Sequence, residues 1–352
     1  MNRIKTTILF LAVILSLYSC KKEEDDKIAE NRKANWIENV FVSLESNNYP
    51  KVKAISWWHE NFDNSLLKVN SSSKSLDAYQ KGVSSSTFIT TANIGSDKLI
   101  EPTSGIYHSA YPDFGGTEDI VTTERITDFE TLVNRNIVWA YFSNNWYNKI
   151  QFPSSEVNTI HSAGKTPFIR IMPRTNFDEG GPDPNYTMQK IIDGVFDNQL
   201  NQWALDAKNT NIPLLVEFGT EVNGNWFPWN GQYNGAGTTN GYGDHDLPDG
   251  AERFRDAYRH IIDICNINGA HNITWFFHVD AYSEPNVYWN KIENYYPGDD
   301  YIDWLGVSIY GPQEKGEDYQ EFSEILNDIY PTLVNLSNKP IAILEFAITE
   351  IE

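Results

Sequence analysis

Between residues 51 and 346 the chain alternates two kinds of apolar pattern. One is a short continuous run: KVKAISWW (51–58), GIYHSAY (105–111), NIVWAYF (136–142), TPFIRIMP (166–173), IPLLVEFG (212–219), NITWFFHVD (272–280), YIDWLGVSIYG (301–311) and KPIAILEF (339–346). The other spaces its apolar residues three to four apart, as in TDFETLVNRN, SSEVNTIHSAG, NQLNQWALDAKNT and GAERFRDAYRHIIDICNI. A strand apolar throughout is buried on both faces, and the three-to-four period gives a helix one apolar stripe. A parallel sheet covered by helices satisfies both patterns. Eight strand runs predict an α/β fold, a closed (β/α)8 TIM barrel.

Two stretches fall outside the alternation. Residues 70–104 hold one short helical pattern, SLDAYQKG, and then a polar, Ser-rich passage that reads as a connection between two parts of one domain. Residues 222–250, VNGNWFPWNGQYNGAGTTNGYGDHDLPDG, are rich in Gly, Asn and aromatics, and a loop that long after a strand is commonly functional.

The first twenty residues, MNRIKTTILFLAVILSLYSC, have a basic start and an apolar run too short to span a membrane stably, the pattern of a secretory signal. Leu17-Tyr18-Ser19-Cys20 resembles a bacterial lipobox, so Cys20 is the expected lipidation site and the chain is expected at a membrane through that anchor. An ordinary cleaved signal is the alternative. Residues 21–33, KKEEDDKIAENRK, read as a charged tether, and EEDD hints at export to the outer membrane, exposed at the cell surface. With Cys20 lipidated, Cys265 is the one remaining thiol and no intrachain disulfide forms; its helical surroundings suit a packed core thiol.

A formal net charge of −21 argues against nucleic acid, whose phosphates need clustered Lys and Arg, and is compatible with a neutral polysaccharide. Eleven Trp and nineteen Tyr either fill a large core or offer flat faces to sugar rings. Composition leaves these two readings equal.

Barrel active sites form at the C-terminal ends of the strands. Among the acids at strand ends two stand out: LLVEFGTEVNGNW delivers Glu221 and IAILEF delivers Glu345. Two carboxylates flanking a glycosidic bond can act as acid and nucleophile; structural salt bridges are the competing reading.

The stretches EVNGNWFPW (221–229), YYPGDDYIDWLGVSIYG (295–311), KPIAILEF (339–346) and KAISWWHENF (53–62) resemble the successive signatures of glycoside hydrolase family 26, best known for endo-β-1,4-mannanases. The resemblance covers most of residues 34–352. It implies a retaining endo-acting hydrolase of mannan, glucomannan or galactomannan, a monomer needing no metal or organic cofactor. It implies Glu221, ending the family's strand 4, as general acid/base and Glu345, ending strand 7, as nucleophile. Tyr310 would position the nucleophile, and Trp226 and Trp58 would line subsites, with Trp57 and Asn223 as further substrate contacts. β-1,3-xylan and mixed-linkage β-glucan are alternative substrates attested in the family. A non-catalytic glycan-binding surface lipoprotein is the reading outside enzymes.

In the family, WWHE belongs to strand 8, after the nucleophile strand; here it stands at residues 57–60. The order implies a circular permutation opened between strand 7 and helix 7. Residues 34–90 would then be the last βα portion, 91–104 a connection, and 105–352 strands 1–7 of a single barrel. A truncated tandem gene or a misassembled contig would give the same order. Two departures bear on specificity: the family usually has His immediately before the acid/base, where Thr220 stands, and Arg four residues before it, where Glu217 stands.

Weaker candidates remain. Arg170 and Arg174 could bond sugar hydroxyls or form core ion pairs; Asn144, Asn145 and Trp146 could meet a distal sugar, though turn capping explains the Asn pair equally. His278 and Asp280 end a strand and are expected to face the cleft, with no third partner for a metal. DHDLPDG (244–250) is oxygen-rich, but a solvated turn suits it better than calcium. His59 and Glu60 suit packing or capping rather than catalysis.

Overall fold

The computed structural model describes residues 29, 31–62, 65–177, 180–314 and 316–350. The signal, Cys20 and residues 21–28 of the expected tether lie outside them. Eight parallel strands form the barrel: β1 (Val52–Trp58), β2 (Ile106–Tyr111), β3 (Trp139–Asn145), β4 (Thr166–Met172), β5 (Leu214–Phe218), β6 (Ile273–Asp280), β7 (Trp304–Tyr310) and β8 (Ile341–Ala347). Neighbours pair in chain order, and β1 closes the sheet, Ile55 opposite Ile343 of β8 and Ala54 opposite Tyr107 of β2. β8 therefore presents no bare edge.

Each continuous apolar run became a strand. β3 is displaced toward its polar end, because Asn144 and Asn145 pair with Ile171 and Met172 and extend the ladder past the apolar stretch. The four amphipathic patterns became the helices Thr123–Val133, Ser154–Ser162, Asp197–Asn209 and Asp249–Ile267.

Nine of the eleven Trp are buried, so the aromatic excess is first a property of the core. Trp139, Phe168, Phe276 and Trp304 form a chain of ring contacts, with centroids 4.7–5.8 Å apart. Below them, the hairpin of Ile94–Gly95 and Lys98–Leu99 covers the N-terminal end of the barrel. Leu99 N–H donates to Thr274 Oγ1 (2.8 Å), Trp304 Nε1 donates to the Leu99 carbonyl (3.2 Å), and Lys98 pairs with Asp303 at 2.8 Å. The polar connection thus also closes the end of the barrel opposite the acids.

A helix through residues 31–45 packs on the helix Phe322–Leu336, with Trp36 and Phe322 centroids 5.6 Å apart. This corrects the tether reading for residues 31–33. Lys33 is fully buried and donates to the Leu66 carbonyl (2.6 Å), the Lys68 carbonyl (2.9 Å) and Ser71 Oγ (2.7 Å). A lysine on a charged segment can be drawn inward when carbonyls await its three donors. Cys265 is buried as expected, and burial pushes its thiol up to about 12. Among the described residues no helix is long and apolar enough to cross a membrane.

Candidate active site

The C-terminal strand ends surround a cleft of about 1070 Å³ whose lining includes Trp58, Arg170, Glu221, Trp226, Tyr310 and Glu345. Glu221 reaches it from a turn after β5. Gly219 takes φ +62°, and a Cβ there would stand 2.7 Å from Phe254 and 3.0 Å from Trp229, so only glycine fits. Glu221 itself has φ +48°, which the surroundings must hold. Trp229 Nε1 donates to the Thr220 carbonyl (2.7 Å), and Asn230 Nδ2 donates to the Val222 carbonyl (2.7 Å). Asn223 Oδ1 accepts from the Asp280 N–H (2.7 Å), while the Asn223 carbonyl accepts from Asn290 Nδ2 (2.7 Å). The Asn- and Trp-rich sequence after Glu221 is thereby the turn's own scaffold. Trp226 Nε1 donates to Glu221 Oε2 at 2.8 Å.

Glu345 is aimed by an irregularity in β8. Val307 pairs with Ile343 but Ser308 pairs with Glu345, leaving Leu344 as an extra residue that shifts the register. Gly306 makes room for it, because a Cβ at position 306 would collide with Leu344 Cδ1. Tyr310 Oη donates to Glu345 Oε2 (2.8 Å), and Arg170 Nη2 lies 3.0 Å from Oε1. Burial pushes the Glu345 carboxyl up to about 7; Arg170 and His278 oppose this and the Glu221 charge reinforces it.

One donor atom from each of Glu221, His278 and Glu345 lies within 4.8 Å of the other two. Three such groups could surround a cation, but both His278 nitrogens are already engaged. Nδ1 lies 2.8 Å from Glu217 Oε2 and Nε2 2.9 Å from Ser308 Oγ. Glu345 is likewise held by Arg170 and Tyr310. The donor set is that of a hydrogen-bonded network.

Several expected sugar contacts are relocated. Trp57 is fully buried, its Nε1 donating to the Leu67 carbonyl, and packs on Phe346 outside the cleft. Trp146 is 1% exposed, enclosed by Tyr186 and Phe196. Asn223 and His278 lie beneath the surface, the one holding the turn and the other in the network. Trp58 does line the cleft, but it is stacked on Tyr111 at 4.1 Å beneath the Arg170 guanidinium, leaving little ring face for a sugar. Arg170 combines both roles weighed for it, lining the cleft and pairing with Glu118 (2.9 Å) and Glu345. Arg174 Nε donates to Asn145 Oδ1 (2.7 Å), and Asn144 Oδ1 accepts from Trp203 Nε1 (3.2 Å), so these groups build the frame.

His59 packs on Phe129 and accepts from the Val69 N–H, as packing predicts. Glu60 instead lines the cleft, pushed up to about 7 by burial and by Glu118 and Asp113; this corrects its assignment to packing or capping. Asp280 lines the cleft as expected. At 244–250 two of the acids turn to backbone amides: Asp249 Oδ2 accepts from Gly241 N–H (2.9 Å), and Asp244 Oδ1 from Asp246 N–H (3.0 Å). Glu118, and the rim aromatics Phe62, Phe177 and Tyr282, are cleft residues that sequence reading passed over. Glu118, Phe177 and Tyr282 sit on loops and Phe62 on a two-residue strand, Asn61–Phe62, all too short or irregular for a pattern to report which way a side chain faces.

Residues 183–347 match the family model described as Glycosyl hydrolase family 26, a span that includes Glu221 and ends with the last residue of β8. The chain resembles glycosyl hydrolase family 26. Among curated relatives, Endoglucanase H of Acetivibrio thermocellus is 28% identical over 229 residues, covering 64% of this chain and 23% of that protein. Beta-1,3-xylanase of Alcaligenes sp is 24% identical over 134 residues, covering 38% of this chain and 24% of that protein. The chain spans about a quarter of the length of these relatives (23% and 24%). Among solved structures, the catalytic domain of a Bacillus sp. JAMB-750 family 26 endo-β-1,4-mannanase is 15% identical, covering 90% of this chain and 73% of that one, with a TM-score of 0.47.

Proposed function

We propose that the protein is a retaining, endo-acting glycoside hydrolase of β-linked polysaccharide, with Glu345 as nucleophile and Glu221 as general acid/base. The observation that carries this reading is the approach of the two carboxylates, oxygens within 4.8 Å, on the lining of one open cleft. Retaining pairs stand about 5–5.5 Å apart and inverting pairs further, to admit a water. Glu345 has two donors suited to a carboxylate, Arg170 and Tyr310, whereas among the described residues the Glu221 carboxyl receives only the Trp226 indole.

In the first step Glu345 attacks the anomeric carbon, the glycosidic C–O bond breaks, and the leaving oxygen takes the Glu221 proton. In the second, Glu221 removes a proton from water, whose oxygen displaces Glu345 and frees the reducing sugar. The chemistry needs only these two acids. The first substrate proposed is β-1,4-mannan, glucomannan or galactomannan. A second reading, mixed-linkage β-glucan or β-1,3-xylan, is favoured by the names of the two relatives and by Thr220 and Glu217 standing where mannanases usually carry His and Arg.

The test is release of reducing ends from glucomannan, galactomannan, mixed-linkage β-glucan and β-1,3-xylan, beside Glu221→Gln and Glu345→Gln controls. Oligosaccharides lost in both controls support the proposal. No release by the folded protein favours a glycan-binding lipoprotein.

Two further readings belong to this proposal. The strands carrying Glu221 and Glu345 are fifth and eighth in chain order, one place later than in the family, and the WWHE strand comes first. This offset supports a circular permutation; a coding frame in the intact transcript that runs from Glu352 into a second WWHE strand would contradict it. A lipid on Cys20, holding the protein at the outer membrane, rests on sequence alone. Mass spectrometry of the mature N-terminus, with Cys20→Ala as control, tests it.

A further inference from the structure

Beneath the cleft lies a third carboxylate that no sugar can reach. Glu217 is 0% exposed, and its oxygens are occupied by His278 Nδ1 (2.8 Å), by the Tyr141 hydroxyl, and by Arg170 Nε at 3.6 Å. His278, 1% exposed, also places Nδ1 2.8 Å from Thr220 Oγ1 and Nε2 2.9 Å from Ser308 Oγ. Thr220 immediately precedes Glu221 in the turn, and Ser308 is the ladder partner of Glu345. Tyr141 Oη, which donates to Glu217, stands 3.4 Å from Glu345 Oε1. One buried pair therefore touches the supports of both cleft acids.

We propose that Glu217 and His278 form a buried ion pair that positions the cleft acids, fixing the Glu221 turn through Thr220 and placing a positive charge beneath Glu345. The inference rests on reading Glu221 and Glu345 as the reacting pair. A buried carboxylate without a partner is costly, and a charged imidazole answers it with both N–H groups: Nδ1–H is shared between Glu217 Oε2 and Thr220 Oγ1, and Nε2–H donates to Ser308 Oγ. The groups facing His278 are Glu217 on β5, Tyr141 on β3, Thr220 and Glu221 beyond β5, Ser308 on β7 and Glu345 on β8, with Arg170 of β4 beside Glu217. Burial disfavours the imidazolium, but Glu217, Glu345 and Glu221 together hold His278 above its ordinary value. Burial also opposes the Glu217 anion, yet His278, Arg170 and Tyr141 hold that carboxyl below the usual range.

Two readouts test the pair. Nitrogen-15 NMR of histidine-labelled protein, assigned with His278→Gln, reports the imidazole without any substrate. Both ring nitrogens are expected protonated at pH 7.5 in the wild type, and one of them free in Glu217→Gln. The second readout is kcat and KM against pH on the glycan that is cut. Glu217→Gln is expected to move the acid limb upward by about one pH unit and to lower kcat roughly 10–100-fold at pH 6 with KM within about twofold. Glu217→Asp is expected to recover part of the loss. A neutral His278 in the wild type overturns the proposal, as does a Glu217→Gln protein that loses thermal stability while its acid limb stays in place. Should Glu217→Gln not fold, His278→Gln serves the second readout and the wild-type spectrum alone decides the first. A wild type that cuts no glycan overturns the functional reading and the positioning role with it, while the spectrum still decides the ion pair.

Discussion

Arg170 on β4 meets Glu345 on β8 across the barrel mouth at 3.0 Å, and the same guanidinium holds Glu118 at 2.9 Å. A planar fork serves both carboxylates at once, which a lysine ammonium on a flexible stem cannot reproduce. Arg170→Lys is therefore expected to fold, to lose about 1–3 kcal/mol of stability, and to reduce kcat at least about tenfold with a smaller change in KM. Thermal melts and steady-state kinetics on one preparation check both.

The raised Glu345 carboxyl has consequences for rate and for stability. Its anion is the attacking species, so the acid limb of kcat/KM is expected near pH 7 rather than near the ordinary carboxylate value. Its folded value lies above its unfolded value, so between about 4.5 and 7 the native state binds the extra proton and this group's contribution to stability falls as pH rises. Relative to Glu345→Gln, the wild type is expected to lose on the order of 2–3 kcal/mol between pH 5 and pH 8. Denaturant melts of both proteins at the two pH values measure the difference.

The rim aromatics supply the exposed faces that Trp57 and Trp146 do not. Phe62 is 42% and Tyr282 45% exposed, and both line the cleft. Tyr282→Ala and Phe62→Ala are each expected to raise KM for a polysaccharide about 5–30-fold, through loss of roughly 1–2 kcal/mol of ring contact. Cleavage of a short aryl glycoside is expected to be unchanged. Equal losses on both substrates would place these residues in the core of the site instead of its outer subsites.

Lys33 tests the docking of the N-terminal helix. Lys33→Met removes the donor shared by two carbonyls and a hydroxyl, and a cost of about 2–4 kcal/mol is expected. Activity per folded molecule should be unchanged, because Lys33 is absent from the cleft lining. Urea melts beside specific activity check this.

The barrel was legible because its strands are apolar without interruption, and the acids because Glu221 and Glu345 stand where such runs end. The same continuity hid which way the side chains face. Trp57 and Trp58 are neighbours in one run, yet Trp57 packs outward on Phe346 and only Trp58 reaches the cleft. Trp146 looked free after its strand because nothing in the local sequence announces Tyr186 and Phe196, which enclose it. Glu118 lies on a loop with no period, and its partners Ser143 and Arg170 come from two other segments. His278 was expected to face the cleft and Glu217 stood out only as a departure from the family pattern; the closed sheet brings β5 and β6 side by side and buries the two against each other beneath the cleft.

The most direct test of the reacting pair is the anomeric configuration of the first product, followed by proton NMR as the folded protein cuts a β-linked glycan. Glu345 as nucleophile and Glu221 as acid/base predict that the β-anomer appears first and mutarotates later, with no product from Glu345→Gln. An α-anomer formed first would contradict the account, as would a Glu345→Gln protein that cuts at the wild-type rate.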